Sequence, residues 1–265
     1  MKLGFIGCGN MAQAIIKGII DSKLLPKEDI IASDNFEPCL DKAEELLGIQ
    51  TTIDNKKIVE DCEIVILAIK PQGYFEIIKE ISPSTSKDTI IVTIAPGITL
   101  ASLEKAFSKE IKIIRTMPNT PSIVREGMTA ICYNSLVEDN EVNKVKELFE
   151  AVGAVEIVPE DLMDVVVAAS GSSPAYVFMF IEAMADAAVL LGMDRKQAYR
   201  FASQAVMGSA KMLIETGKHP AELKDMVCSP AGATIEAVKT LESCELRSSV
   251  IKAMVNCANR SKSIT

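Results

Sequence analysis

The 265-residue chain has no tryptophan, one histidine, aromatic side chains at only 5%, and 28 Lys+Arg against 36 Asp+Glu, a formal charge of −8. Each shortage removes a class of function. With His219 as the only imidazole, a cluster of histidine metal ligands is impossible, and a histidine-assisted nucleophile would have to rely on that one residue. No metal site is expected. A net acidic chain lacks the cations with which nucleic-acid binders displace counterions, and it is equally unsuited to an acidic lipid surface, so neither nucleic acid nor membrane is expected as a partner. The most apolar long stretch, Ala175 to Met193, contains Glu182 and Asp186. Two ionisable groups within about 20 residues argue against a membrane span and for a buried core helix. Seven scattered cysteines with no C-x-x-C pair read as reduced thiols of a cytoplasmic protein. The opening run Met1 to Gly7 does not have the form of a secretory leader.

What is present is an ordinary globular composition, 48% hydrophobic and 24% charged. The first half alternates short β-branched runs with amphipathic segments, the pattern of βαβ units and a parallel sheet. Strands are expected at Lys2 to Ile6, Ile30 to Ser33, Ile49 to Ile53, Glu63 to Ile69, Thr89 to Ile94, Ile111 to Thr116, Met128 to Tyr133 and Val155 to Val158. Helices such as Met11 to Asp21, Pro38 to Leu47 and Tyr74 to Ile81 lie between them. After Pro159 strands vanish and Ala, Met and Leu recur at spacings of three and four. Helices are expected at Asp161 to Ala169, Ala175 to Leu191, Arg195 to Thr216, Pro220 to Val227, Ala233 to Leu241 and Leu246 to Ser261. The expected fold is α/β, a doubly wound Rossmann-type domain over residues 1–159 followed by an all-α domain over residues 160–265.

Gly7-Cys8-Gly9-Asn10-Met11-Ala12 follows the first strand and opens a helix, the context that a G-x-G-x-x-[GA] pattern needs. Gly7 permits the tight turn, Gly9 lets backbone approach a pyrophosphate, and Ala12 lets helix and strand pack closely; the alternative is a plain glycine-rich turn. Asp34 ends the second strand, where a carboxylate accepts bonds from the adenosine ribose; no Arg or Lys occurs from Ser33 to Asp41, which by itself favours NADH. It could instead be a solvated acid capping the next helix. The strand tips Ala68-Ile69-Lys70-Pro71-Gln72 and Ala95-Pro96-Gly97 are candidates for the nicotinamide side, with Lys70 alternatively a plain surface charge.

In the helical half, Ser170-Gly171-Ser172-Ser173-Pro174-Ala175-Tyr176 and Ser229-Pro230-Ala231-Gly232-Ala233-Thr234 each place Ser immediately before Pro, matching an N-cap followed by proline at the first helical position. Both could be simple caps. The second has a surplus of small residues, which leaves backbone N–H groups open at a positive helix end and suits a small carboxylate. Thr234 adds a hydroxyl able to bond an amine or imine nitrogen.

Taken together, these residues resemble the pyrroline-5-carboxylate reductases, which make L-proline. The resemblance spans essentially the whole chain. It rests on Phe5-Ile6-Gly7-Cys8-Gly9-Asn10-Met11-Ala12, on Ile69-Lys70-Pro71-Gln72, on Arg115-Thr116-Met117-Pro118-Asn119-Thr120-Pro121, on Ser170 to Tyr176, and on Leu223 to Thr234, the most specific. It implies that Ile6, Gly7, Cys8, Gly9, Asn10, Met11, Asp34, Asn55 and Ala68 to Pro71 contact NADPH or NADH. It further implies that Glu160 and the stretch Ser229 to Thr234 form the substrate pocket, with Ser229 and Thr234 as the groups nearest the chemistry and Thr234 bonded to the ring nitrogen. Homodimers interlocked through the C-terminal helices, or larger rings of them, are implied as well. The chain departs from the family pattern at Ser173 and Ala231, where glycine is usual, at Pro96, where a small residue is usual, and at Met226, where some members carry Asn.

The expected reaction is hydride transfer from reduced nicotinamide to the C=N carbon of 1-pyrroline-5-carboxylate. The cofactor carries the hard chemistry, and a protonated imine is already electrophilic, so a lone histidine is no obstacle. A β-hydroxyacid dehydrogenase or another imine reductase shares the two-part layout. Hydroxyacid enzymes of that kind use a lysine in the helical half, and the stretch Ser170 to Pro174 has none in it or in the next twenty residues. A nucleotide-binding protein without turnover is the alternative from another class.

Overall fold

A computed structural model of the chain describes residues 1–263. The alternating β-branched runs form β1 (Leu3–Ile6), β2 (Ile30–Ser33), β3 (Gln50–Thr52), β4 (Ile64–Leu67), β5 (Ile90–Thr93), β6 (Lys112–Met117), β7 (Gly127–Tyr133) and β8 (Gly153–Ile157). They make one eight-stranded sheet in the order β3-β2-β1-β4-β5-β6-β7-β8. Strands β3 through β6 run parallel, and Ile6 stands level with Ser33 on one side and Leu67 on the other. The connecting helices are α1 (Asn10–Asp21), α2 (Glu37–Leu47), α3 (Asn55–Asp61), α4 (Tyr74–Ile81), α5 (Leu100–Phe107) and α6 (Asp139–Glu150).

The sheet's period of two divides the core. Phe5 and Ile66 belong to one buried cluster with Ile15, Ile19 and Phe149, whereas their chain neighbours Ile6 and Leu67 belong to another with Ile58, Ile78 and Leu103. Full burial of such a side chain contributes about 1.5–3 kcal/mol, which is why these central strands read as continuous apolar runs with helices on both faces.

One departure from an all-parallel sheet stands at the far edge, where β7 is antiparallel to β6 and β8 is parallel to β7. The connection from β6 to β7 carries only a short 3-10 turn, Thr120–Val124, and is too short for a parallel crossover. The next connection contains α6, so β8 returns parallel to β7.

Past β8 the expected helix Asp161 to Ala169 is broken into a 3-10 turn Glu160–Leu162, α7 (Met163–Val166) and a π-helical turn Val167–Gly171. The Ser172 N–H donates to the Val167 carbonyl at 2.7 Å, and Asn119 Nδ2 donates to the Ser170 carbonyl at 3.0 Å. Pro174, four residues on, has no N–H to offer the Ser170 carbonyl and cannot extend a regular helix through it, so that carbonyl is free to accept from Asn119. There follow α8 (Ser173–Leu190), α9 (Arg195–Thr216), α10 (Pro220–Val227), α11 (Ala233–Ser243) and α12 (Leu246–Lys262).

Contacts divide the chain into two compact units, Met1–Ser172 together with the stretch from Cys257, and Ser173–Asn256. In the first, Ser261 Oγ donates to Asp164 Oδ1 at 2.6 Å. In the second, α8 packs on α9, yet α8 buries only Ala185, and α9 only Ala198 and Ala202. The expectation that Ala175 to Met193 forms a buried core helix is therefore corrected. Phe178 is 61% exposed, Met179 69% and Ile214 on α9 81%. An apolar helix of this kind finds too little partner surface inside one chain. By length and composition alone, Glu160–Leu190 would also be long and apolar enough to cross a membrane.

Candidate active site

The strand order reverses between β1 and β4, and in open α/β sheets the ligand crevice lies beyond the carboxyl ends of the strands at such a reversal. A cavity of about 620 Å³ opens there. The first wall is the β1 turn, Ile6, Gly7 and Gly9; the second follows β2, with Asp34, Asn35, Phe36 and Cys39. Asn55 at the start of α3 closes one side. Ala68, Ile69 and Lys70 after β4, with Gln72, Gly73, Glu76 and Ile77 leading into α4, close the other.

The glycines explain why the turn is open. Gly7 has φ +94°, and a Cβ there would lie 2.6 Å from the Ala68 carbonyl oxygen. A Cβ at Gly9 would meet nothing within 4 Å, so that position faces open space into which a ligand can come close to backbone. Gly9 is also the N-cap of α1 and supplies no side-chain cap, so the first N–H groups of a twelve-residue helix are left for an anion. Cleft volume, glycine turn and helix start fit a dinucleotide.

The turn is tied to its surroundings by backbone donors. The Gly7 N–H donates to the Ser33 carbonyl at 2.8 Å and the Cys8 N–H to Asp34 Oδ2 at 2.7 Å. The second Asp34 oxygen accepts the Phe36 N–H at 2.9 Å, and Gln13 Nε2 donates to the Cys8 carbonyl at 2.8 Å. Ser33 Oγ donates to Asn55 Oδ1 at 2.7 Å, which orients the Asn55 amide. The Cys8 side chain is fully buried in the core. Burial, with the Asp34 carboxylate adding to it, pushes the Cys8 thiol up to about 11.

Of the expected cofactor residues, Ile6, Gly7, Gly9, Asp34, Asn55, Ala68, Ile69 and Lys70 share this cavity. Cys8, Asn10, Met11 and Pro71 belong to the same two turns but do not line it. Ala95, Pro96 and Gly97 follow β5 outside the lining; Ala95 is buried and Gly97 has φ +75°. Gln72, expected at the β4 tip with Ala68 to Pro71, lines the cavity too, and the cavity adds Asn35, Phe36, Cys39, Gly73, Glu76 and Ile77, which the sequence motifs do not single out. Their signal was only position, directly after strand tips already singled out.

Glu160 lies in the first unit, where its Oε1 accepts from Arg115 Nη1 at 2.9 Å and from the Leu100 N–H at 2.8 Å. It borders a shallow 420 Å³ depression with Thr99, Asp161 and Lys262.

In the second unit, Ser229-Pro230-Ala231-Gly232 is a turn rather than the first helical residues, closed by the Gly232 N–H donating to the Ser229 carbonyl at 3.1 Å. The expected cap at Ser229 is thus corrected: Gly232 is the N-cap of α11, without a side-chain cap, and Pro230 precedes the helix. A Cβ at Gly232 would lie 2.3 Å from Ser229 Oγ, and Ala231 adopts φ +54°. The turn leaves the N–H groups of Ala233 and Thr234 at the open end of α11. Similarly, α8 begins at Ser173, with Pro174 in its second position.

This is the architecture of dinucleotide-dependent oxidoreductases. Residues 160–264 match the family described as pyrroline-5-carboxylate reductase dimerisation, and residues 2–97 that described as NADP oxidoreductase, coenzyme F420-dependent. The chain is 48% identical over 268 residues to a pyrroline-5-carboxylate reductase of Escherichia coli, covering 100% of this chain and 98% of that protein. Among solved structures, a pyrroline-5-carboxylate reductase of Coxiella burnetii superposes with a TM-score of 0.93 at 36% identity, covering 100% of this chain and 98% of the other. A Plasmodium falciparum pyrroline carboxylate reductase with NADP bound gives 0.90 at 29% identity, with coverage of 100% and 98%. The chain belongs to the pyrroline-5-carboxylate reductase family.

Proposed function

We propose that the protein reduces L-1-pyrroline-5-carboxylate to L-proline with NADPH or NADH, closing proline biosynthesis in the cytoplasm. The observation that carries this is the 48% identity along the full length of the Escherichia coli reductase. When bound, the reduced nicotinamide supplies a hydride to the imine carbon, while the ring nitrogen, already protonated, becomes the secondary amine.

The protein's own task is to bind, orient and neutralise charge. The Gly7–Gly9 turn and the start of α1 hold the pyrophosphate, Asp34 and Asn55 the adenosine end, and the tips Ala68 to Pro71 and Ala95 to Gly97 the nicotinamide side. The Ala233 and Thr234 N–H groups, at the positive end of the eleven-residue α11, hold the substrate carboxylate. Thr234 Oγ1 bonds the ring nitrogen and Ser229 lines the same turn, with Pro230, Ala231 and Gly232 shaping it and Glu160 assisting. None of these steps needs an imidazole. His219 is exposed, and its Nδ1 accepts the Ala221 N–H at 3.2 Å as a helix cap.

The exposed apolar faces of α8 and α9 are covered in a homodimer built through the C-terminal helices, which also accounts for an apolar Glu160–Leu190 stretch without a membrane. Dimers associate further into rings. Nucleic acid is not a partner of this acidic chain. The test is to mix purified protein with fresh pyrroline-5-carboxylate and reduced cofactor and follow loss of the nicotinamide absorbance. Turnover is expected with proline as product; no oxidation of either cofactor would sink the reading.

A further inference from the structure

We infer that Asp34 makes this protein selective for NADH over NADPH, an inference that rests on the dinucleotide reading of the cleft. Asp34 lines the cavity beside the glycine turn. Its carboxylate is held there by two main-chain donors, Cys8 N–H at 2.7 Å and Phe36 N–H at 2.9 Å. Main-chain donors cannot swing away as a side chain can, so the negative charge stays on the wall. Each oxygen keeps a second lone-pair direction, enough to accept from the two hydroxyls of an adenosine ribose. A 2′-phosphate in the same place brings about two negative charges against that carboxylate.

Only a nearby cation could offset this. Among the described residues the one cationic side chain lining the cleft is Lys70, and it follows β4, on the opposite side of β1 from Asp34. With neighbouring strands about 4.8 Å apart, the two tips are about 10 Å apart, and at that range solvent and salt screen most of the attraction. Lys56 and Lys57 follow Asn55 on α3, but both are exposed and neither lines the cavity. The Asn55 amide lies instead 3.4 Å from the Glu80 carboxylate, which adds negative charge to that side. The Plasmodium falciparum relative was solved with NADP bound, so the selectivity belongs to this chain's residues at the β2 tip rather than to the fold.

The test is calorimetric titration of the purified protein with NADH and with NADPH, independent of turnover, together with kcat/KM for each. NADH is expected to bind at least about tenfold more tightly. Asn35→Arg leaves Asp34 and both its donors in place and adds a cation to the same wall, so it should shift the ratio of the two Kd values by about tenfold or more toward NADPH. Asp34→Ser should shift it the same way by removing the charge. Equal or tighter binding of NADPH by the unmodified protein, or a ratio unmoved by both substitutions, overturns the inference while leaving the reductase reading intact. Binding of neither dinucleotide overturns both.

Discussion

Arg115 Nη1 donates to Glu160 Oε1 at 2.9 Å, and the same oxygen accepts the Leu100 N–H at 2.8 Å. One carboxylate thus joins the middle of β6, the start of α5 and the first turn of the helical half. The Arg115 side chain is 4% exposed and Glu160 33%, so the guanidinium has left water while the carboxylate has only partly done so.

Removing Glu160 leaves that cation buried with its Nε already unpartnered. Breaking one side of a buried pair costs about 3–5 kcal/mol, and partial solvation of Glu160 reduces this to about 2–3. Glu160→Ala is expected to lower the urea midpoint at fixed protein concentration, with Glu160→Gln, which retains an acceptor for Leu100 and Arg115, falling between it and the unmodified protein. An Ala variant with an unchanged midpoint would show that Arg115 does not depend on this partner.

Ala231 takes φ +54° on the turn before α11, a conformation that costs an L-residue about 1 kcal/mol and glycine almost nothing. Glycine also loses more freedom on folding, by about 0.4–1 kcal/mol, so Ala231→Gly should stabilise by less than about 1 kcal/mol. A β-branched residue is worse placed there than alanine. The expected order of Tm is Gly above Ala above Val, read by calorimetry at one protein concentration; Val at or above Ala would contradict the strained turn.

How much of this was legible beforehand differs by element. Ile30 to Ser33, Tyr74 to Ile81 and Arg195 to Thr216 end where their patterns end, because β-branched runs or helical periodicity stop there together with the turn residues. The cleft at β1 was legible because Gly7 is forced by geometry, with a carbonyl 2.6 Å from a would-be Cβ and a positive φ, and Gly9 beside it completes the glycine spacing while facing open space. The break at Val167–Gly171 was not: Pro174 has no N–H for the Ser170 carbonyl, which accepts instead from Asn119, about fifty residues earlier, and that partner is invisible in the local sequence. The Ser229 cap was misread for a related reason. Ser-Pro fits a helix start locally, but the left-handed Ala231 delays the helix to Ala233, and nothing in an alanine announces a positive φ. The exposure of α8 was illegible because apolar residues on every side look the same whether one chain or two must cover them.

Burial pushes Cys8 up to about 11, and Cys62 and Cys132 up to about 12, from 9.0, with the carboxylates of Asp34, Asp61 and Glu160 respectively adding to it. For an acidic group raised by folding, the fold favours the protonated thiol. That contribution is therefore complete below about pH 9 and is lost as pH rises through 11 to 12. At pH 8 about one Cys8 thiol in a thousand is ionised. Native protein treated with iodoacetamide at that pH should keep Cys8, Cys62 and Cys132 unmodified while the exposed Cys244 reacts; peptide mapping by mass spectrometry reads this directly. Alkylation of Cys8 as fast as Cys244 would show that the glycine turn opens far more readily than its hydrogen bonds imply.

Thr234 occupies the first turn of α11, where Gly232 leaves the end uncapped. A hydroxyl that bonds the ring nitrogen should matter more as that nitrogen changes from imine to amine than in the initial complex, so its loss should fall on kcat rather than on KM alone. Removing one positioned polar group of this kind costs about tenfold to a thousandfold in turnover. Thr234→Ala is therefore expected to lose at least about tenfold in kcat with folding unchanged by circular dichroism, and Thr234→Ser, which restores the oxygen, should recover most of it. Because α11 carries no side-chain cap, the alanine does not remove a structural bond, and a loss confined to kcat would have no stability explanation. Full kcat and unchanged KM in the alanine variant would take Thr234 out of the substrate site and leave the open N–H groups of Ala233 and Thr234 as the whole of what α11 offers the ligand.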